Sequence, residues 1–175
     1  MTTVVPHLTL VLGGARSGKS RYAESLTAAH PPPWVYVATA EPLDDEMRAR
    51  IADHRTRRGA DWRLLEAPRD LAGALTGLGN GGAVLVDCLT LWLSNLMLAD
   101  ADLESESARL LTALADIATP VVLVSNEVGF GIVPDNALAR RFRDAQGRLN
   151  QRMAARADRV VLMVAGLPLI VKESP

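Results

Sequence analysis

The stretch "LTLVLGGARSGKS", residues 8–20, decides the fold. Its first half is a short apolar run closed by two glycines. Its second half fits G-x-x-x-x-G-K-[ST], with Gly13, Gly18, Lys19 and Ser20 at the fixed positions. A buried strand that turns through glycines straight into a helix leaves the backbone N–H groups of Gly13, Gly14, Ala15, Arg16, Ser17 and Gly18 free to wrap a phosphate chain. The helix aims its positive end at the same anion, Lys19 reaches the β and γ oxygens, and Ser20 can hold magnesium. The implied ligand is a nucleoside triphosphate. A glycine-rich turn without chemistry is the bland alternative, and the strand–loop–helix context argues against it.

Outward from this loop the chain alternates apolar runs with helical patterns. "LTLVLGG" (8–14), "WVYVAT" (34–39), "AVLVDC" (83–88), "PVVLVSNEV" (120–128) and "RVVLMVAG" (159–166) are short, rich in branched residues and bounded by Gly, Pro or polar groups. Such runs predict strands buried on both faces of a parallel sheet. Helical patterns fall near 19–29, 44–58, 69–78, 89–99, 104–118 and 135–157, the alternation of βαβ units. "PPP" at 31–33 and "GLGNGG" at 77–82 read as turns within one domain covering residues 1–175. The tail 166–172 reads either as a hairpin strand at a sheet edge or as a loosely docked terminus.

Bulk properties narrow the class further. A chain of 175 residues buries roughly 70% of its unfolded surface in one core. It is 49% hydrophobic and 22% charged, as globular chains are. A net charge of −1 and a pI of about 6.3 give no bulk attraction to nucleic acid or an anionic membrane. The lone Cys88 makes no internal disulfide and no signal peptide is evident, so a cytoplasmic location is expected. The most apolar run, 89–98, is interrupted by Ser94 and Asn95 and is too short to span a bilayer; Trp92 and Leu96 are expected to face the core rather than a neighbour.

Asp87 stands at the carboxyl end of a buried strand, where an acid can hold magnesium directly or through water, or can merely cap a helix. Glu127, after "VVLVSN", is a second such acid, able to orient a nucleophile or to serve structure alone. In "DDEMRARIADHRTRR" (44–58), His54 falls about 20° around the helix from Leu43, on the apolar face. Arg50, Arg55, Arg57 and Arg58 crowd around it in sequence. A neutral imidazole attacks phosphorus well, and arginines disfavour its protonation. From residues alone, a histidine packed at a helix end and a nucleophile both fit.

In order and spacing, "GGARSGKS", "ATAEPLDDEMRARIADHRTRR", "DWRLLEAP", "VLVDCLTLWLSNLM" and "VSNEVGFGIVP" with the helix and strand that follow resemble the bifunctional adenosylcobinamide kinase / adenosylcobinamide-phosphate guanylyltransferase family of cobalamin biosynthesis. The likeness runs from about residue 8 to 172. It implies a RecA-like P-loop sheet, a homotrimer and two reactions. A nucleoside triphosphate, ATP or GTP, phosphorylates adenosylcobinamide; GMP then passes from GTP to that phosphate through a guanylylated histidine, giving adenosylcobinamide-GDP and pyrophosphate. By the same resemblance the nucleophile is His54, Lys19 assists, and Ser20 and Asp87 hold Mg2+. Nucleotide contacts carry over to Gly13 through Ser20, to Thr39, Ala40 and Glu41, to Arg55, Thr56, Arg57 and Arg58, to Glu66 and to Asp87. Leu64 departs from the family, standing where a threonine is common. A kinase lacking the second reaction, or a nucleotide-gated binding module, would need the phosphate loop but not His54.

Overall fold

Strand alternation is what builds the sheet. The computed structural model describes residues 6–41, 59–79 and 82–174. The expected 44–58 helix lies outside them, with His54 and Arg55 through Arg58. Leu8–Gly13 (β1), Trp34–Ala38 (β2), Trp62–Glu66 (β3), Val84–Asp87 (β4), Val121–Asn126 (β5), Arg159–Val164 (β6) and Leu167–Glu173 (β7) form one sheet in the order β3-β2-β4-β5-β1-β6-β7. Each neighbouring pair is parallel except β6 and β7, which are antiparallel.

Successive side chains leave opposite faces of a strand. Leu8, Leu10, Val35, Val37, Val84, Val86, Val121 and Leu123 enter one core, whereas Val11, Tyr36, Leu85, Val122, Val124 and Val161 enter the other. The second core is covered by Lys19–Thr27 (α1), which packs on β1, β4 and β5 through Ala23 and the flanking Tyr22 and Leu26. The first is covered by Leu71–Thr76 (α2), Leu89–Leu98 (α3), Leu103–Asp116 (α4) and Ala137–Arg156 (α5). Trp92 is fully buried and Leu96 nearly so, so this face of α3 belongs to the core, as expected.

Capping fixes where the helices start. Asp70 accepts from Gly73 N–H (3.1 Å), Asp102 from Glu104 and Ser105 (3.1 and 3.2 Å), and Asn136 from Ala139 (2.7 Å). Those caps place the starts of α2, α4 and α5 within two residues of the pattern-based ones. α1 instead follows Gly18, which stands at its N-cap in the left-handed region at φ 93°, with no side-chain cap.

Two features differ from or sharpen the sequence reading. β3 was not among the five predicted strands: "WRLLE" carries no β-branched residue, and as the edge strand beyond β2 it is only partly buried, on Trp62, Leu64 and Leu65. Trp62 is fastened by a tilted contact with Trp34 (ring centroids 5.2 Å apart) and an edge-to-face contact with Tyr36 (6.4 Å). The tail is a hairpin: β6 and β7 join through Ala165 and Gly166, both at positive φ (51° and 82°), as a two-residue turn between twisted strands requires. No helix among the described residues is long and apolar enough to cross a membrane.

Candidate active site

Parallel strands deliver their carboxyl ends to one edge of the sheet, and the site candidates gather there. Strand register pairs Glu66 with Ala38, Ala38 with Asp87, and Asn126 with Gly13. Neighbouring strands lie about 4.8 Å apart and residues about 3.3 Å along them, so Asp87, level with Val11, stands roughly 10 Å from Glu66 and about 12 Å from Gly13 at the start of the phosphate loop.

The loop itself is held open by close backbone packing. At Gly13 (φ 153°) a Cβ would lie 2.7 Å from the Met163 carbonyl oxygen and 2.7 Å from Ser17 Oγ, so no side chain fits. The Gly166 N–H in the β6–β7 turn donates to Ser17 O at 3.1 Å, bracing the loop from outside. Ser17 Oγ is buried and finds no partner among the described residues. Lys19 is 7% exposed and its Nζ donates to Gly14 O at 2.5 Å. Burial lowers its pKa below the ordinary lysine value, opposed in part by the attraction of Cys88 and Asp87 in their charged forms. Lys19 therefore lies largely desolvated and folded back on its own loop, where an incoming phosphate would add countercharge to that of Asp87.

Thr39 is completely buried, and its hydroxyl is committed to the backbone of Cys88. Oγ1 donates to Cys88 O (2.7 Å) and accepts from Cys88 N–H (2.8 Å), while Thr39 N–H donates to Asp87 O (3.3 Å). The Asp87–Cys88 peptide is cis. Thr39 thus locks the end of β4, on which Asp87 sits, to the end of β2. The Cys88 thiol is pushed up to about 11 by burial and the neighbouring Asp87 charge, against N–H donors from Leu91 and Thr90. At neutral pH it is a protonated packing residue and not a nucleophile.

Glu41 and Glu66 share an open cleft of about 650 Å³ with Ala67, Pro68, Arg69, Asp70 and Ala74. Glu41 pairs with Arg69 at 3.2 Å. Asn95, the residue that interrupts the apolar run of α3, ties the two walls together. Its Nδ2 donates to Thr39 O (2.8 Å) and Pro68 O (2.9 Å), and Trp92 Nε1 donates to Arg69 O (2.8 Å).

On the other side of Asp87, the N–H of Glu127 donates to Gly13 O at 3.0 Å, placing this acid at the first residue of the phosphate loop. The structure therefore brings Gly13 through Ser20, Thr39, Ala40, Glu41, Glu66, Asp87 and Glu127 to one edge. Sequence reasoning missed Asn95 and Arg69 as parts of it. The polar break inside an apolar helix was the available signal for Asn95; nothing local marked Arg69.

Comparison with known proteins bears on the fold and on the family. The solved structure of the RadB recombinase (TM-score 0.53, 20% identity, covering 89% of this chain and 73% of that one) shares the fold. So does the solved ATPase domain of a second protein (TM-score 0.53, 12% identity, 98% and 79%). The bifunctional adenosylcobalamin biosynthesis protein CobP of Pseudomonas aeruginosa is 50% identical over 169 residues, spanning 95% of this chain and 98% of the relative. CobU of Salmonella typhimurium, described in the same words, is 44% identical over 179 residues (93% and 98%). The profile of one family matches residues 9–171, and by that match and those identities the chain belongs to the cobinamide kinase / cobinamide phosphate guanyltransferase family.

Proposed function

We propose that this chain, acting as one nucleotide-binding domain over residues 1–175, carries out both reactions of its family: phosphorylation of adenosylcobinamide, then GMP transfer to the phosphate through His54. The observation that carries the reading is the single carboxyl edge on which the phosphate loop, Asp87, Glu127 and the Glu41–Glu66 cleft line up.

In the first reaction the corrin hydroxyl attacks the γ-phosphorus, the nucleoside diphosphate leaves, and Asp87 or Glu127 takes the hydroxyl proton. In the second, His54 attacks the GTP α-phosphorus and pyrophosphate leaves. An oxygen of the cobinamide phosphate then displaces GMP from His54. Lys19 and the loop N–H groups steady the triphosphate in both reactions. Arg55 through Arg58 offset charge on the α-phosphate oxygens, Thr39 and Ala40 set the wall beside the nucleotide, and Glu41 and Glu66 accept hydrogen bonds from its base or ribose.

Among the described residues no three His, Cys, Asp or Glu side chains converge to hold a metal alone. Two hard oxygen donors, the Ser20 hydroxyl and the Asp87 carboxylate, fit Mg2+ that arrives with the nucleotide, where it would neutralise phosphate charge. A homotrimer in the cytoplasm is part of the same proposal. The exposed apolar side chains of β7, Leu167, Leu169, Ile170 and Val171, support an association of subunits.

The test is to incubate the protein and Mg2+ with GTP labelled at the α- or the γ-phosphate and then to denature it. Acid-labile, alkali-stable label from the α position alone, lost in His54→Asn, is the expected result. Unlabelled protein that still phosphorylates cobinamide would leave a kinase and overturn the second half.

A further inference from the structure

Between β5 and α5, inside an otherwise aliphatic interface, lies a small network of amides. Ser125 and Gln146 are fully buried and Asn150 is 5% exposed, among Ala145, Leu149 and Met153 of the core. Ser125 Oγ donates to Asn150 Oδ1 (2.7 Å). Gln146 Nε2 donates to Ser125 Oγ and to Asn150 Oδ1 (both 2.9 Å). Gln146 Oε1 is buried with no partner among the described residues. Three buried polar side chains with one orphaned oxygen stabilise a fold less well than apolar residues of the same shape. The network's value therefore lies in what it positions.

Among the described residues its one outlet is the backbone of Asn126, whose carbonyl accepts from Asn150 Nδ2 at 3.0 Å. The N–H of the same residue donates to Thr90 Oγ1 of α3 at 2.8 Å, and the next N–H, that of Glu127, donates to Gly13 O at 3.0 Å. The Asn126–Glu127 unit is thus gripped from α5, from α3 and from the phosphate loop. The Glu127 carboxylate is turned back onto the Gly129 N–H at 2.8 Å.

We propose that Gln146, Asn150 and Thr90 are positioning residues for phosphoryl transfer, holding Glu127 against Gly13 where it meets the attacking hydroxyl of the corrin substrate. This inference rests on the kinase half of the function proposed above, and it assigns Glu127 rather than Asp87 as the base. Only that half removes a proton from an alcohol. A neutral imidazole and a phosphate oxygen attack without one, so guanylyl transfer should be indifferent to Glu127.

Asn150→Leu, Gln146→Met and Thr90→Val each delete the polar group at nearly constant shape. With folding checked by thermal melts, kcat and KM would be measured for adenosylcobinamide phosphorylation by γ-labelled ATP, alongside α-label uptake from GTP. The expected result is a kcat about tenfold lower or more, with KM for ATP and α-label uptake within about twofold of wild type. Thr90→Ser, which keeps the hydroxyl, should restore turnover. Should Asn150→Leu not fold, Thr90→Val acts on the same residue from a different helix. Folded variants with unchanged kinase turnover, or with both reactions falling together, overturn the inference while leaving the family reactions intact. A wild-type protein that phosphorylates no cobinamide overturns the function as well.

Discussion

Thr39→Val isolates the joint on which Asp87 hangs. The substitution keeps the shape of a completely buried side chain and removes one oxygen that both donates to Cys88 O and accepts from Cys88 N–H. The carbonyl keeps a second donor, Trp92 N–H at 3.2 Å, so the stranded group is the Cys88 N–H. A buried donor left without a partner costs about 1–3 kcal/mol, and the lost donation about 0.5–1.5 kcal/mol more. The total of about 1.5–4.5 kcal/mol lowers Tm by roughly 3–18 °C in a domain of this size. Scanning calorimetry or urea unfolding of the apoprotein reads this directly. Thr39→Ser is the control, since it keeps the hydroxyl and loses only a methyl group, about 1 kcal/mol. A valine variant within about 0.5 kcal/mol of wild type, or a serine variant no better than valine, would show that the hydroxyl does not hold β2 to β4.

Two further outcomes follow from the phosphate loop. Burial depresses the Lys19 pKa, so between its folded value and 10.5 the unfolded chain binds more protons and stability rises with pH; below that window the buried charge opposes folding in full. Lys19→Met should therefore raise the apoprotein's Tm at pH 7, with the gap to wild type closing as pH climbs toward 10.5, while nucleotide affinity falls roughly 10–100-fold in titration calorimetry. A variant less stable than wild type at pH 7 would refute the sign. Gly13→Ala drives a methyl group against the Met163 carbonyl and Ser17. It should destabilise the fold by about 1–3 kcal/mol and abolish detectable nucleotide binding, and normal binding by the variant would count against the close approach.

The legible parts of this molecule were those where one physical requirement forces a local pattern. Wrapping phosphate needs glycines at fixed spacing before Lys19, and strands covered on both faces need unbroken branched runs, so the loop, five strands and the core side of Trp92 could be read directly. Thr39 was read as a nucleotide neighbour, but the partner of its hydroxyl is 49 positions away and leaves no trace in "ATAE". Gln146 sits in the arginine-rich pattern of α5 and looks like surface until the sheet is in place. β3 escaped because an edge strand need not be apolar on alternate residues, and Arg63 is exposed.

β1, the first of the described strands in chain order, is flanked by β5 and β6, which arrive more than a hundred residues later. The turn at Gly166 that braces Ser17 comes later still. A growing chain therefore carries its nucleotide loop for most of its synthesis without either neighbouring strand, and the long sequence separations slow the closing steps. Deletions that remove the end of β6 or its turn are felt at residues 13–18, about 150 positions earlier in the chain. Ligand binding would report the arrival of β6, since a ribosome-bound fragment ending before β6 leaves one side of β1 bare.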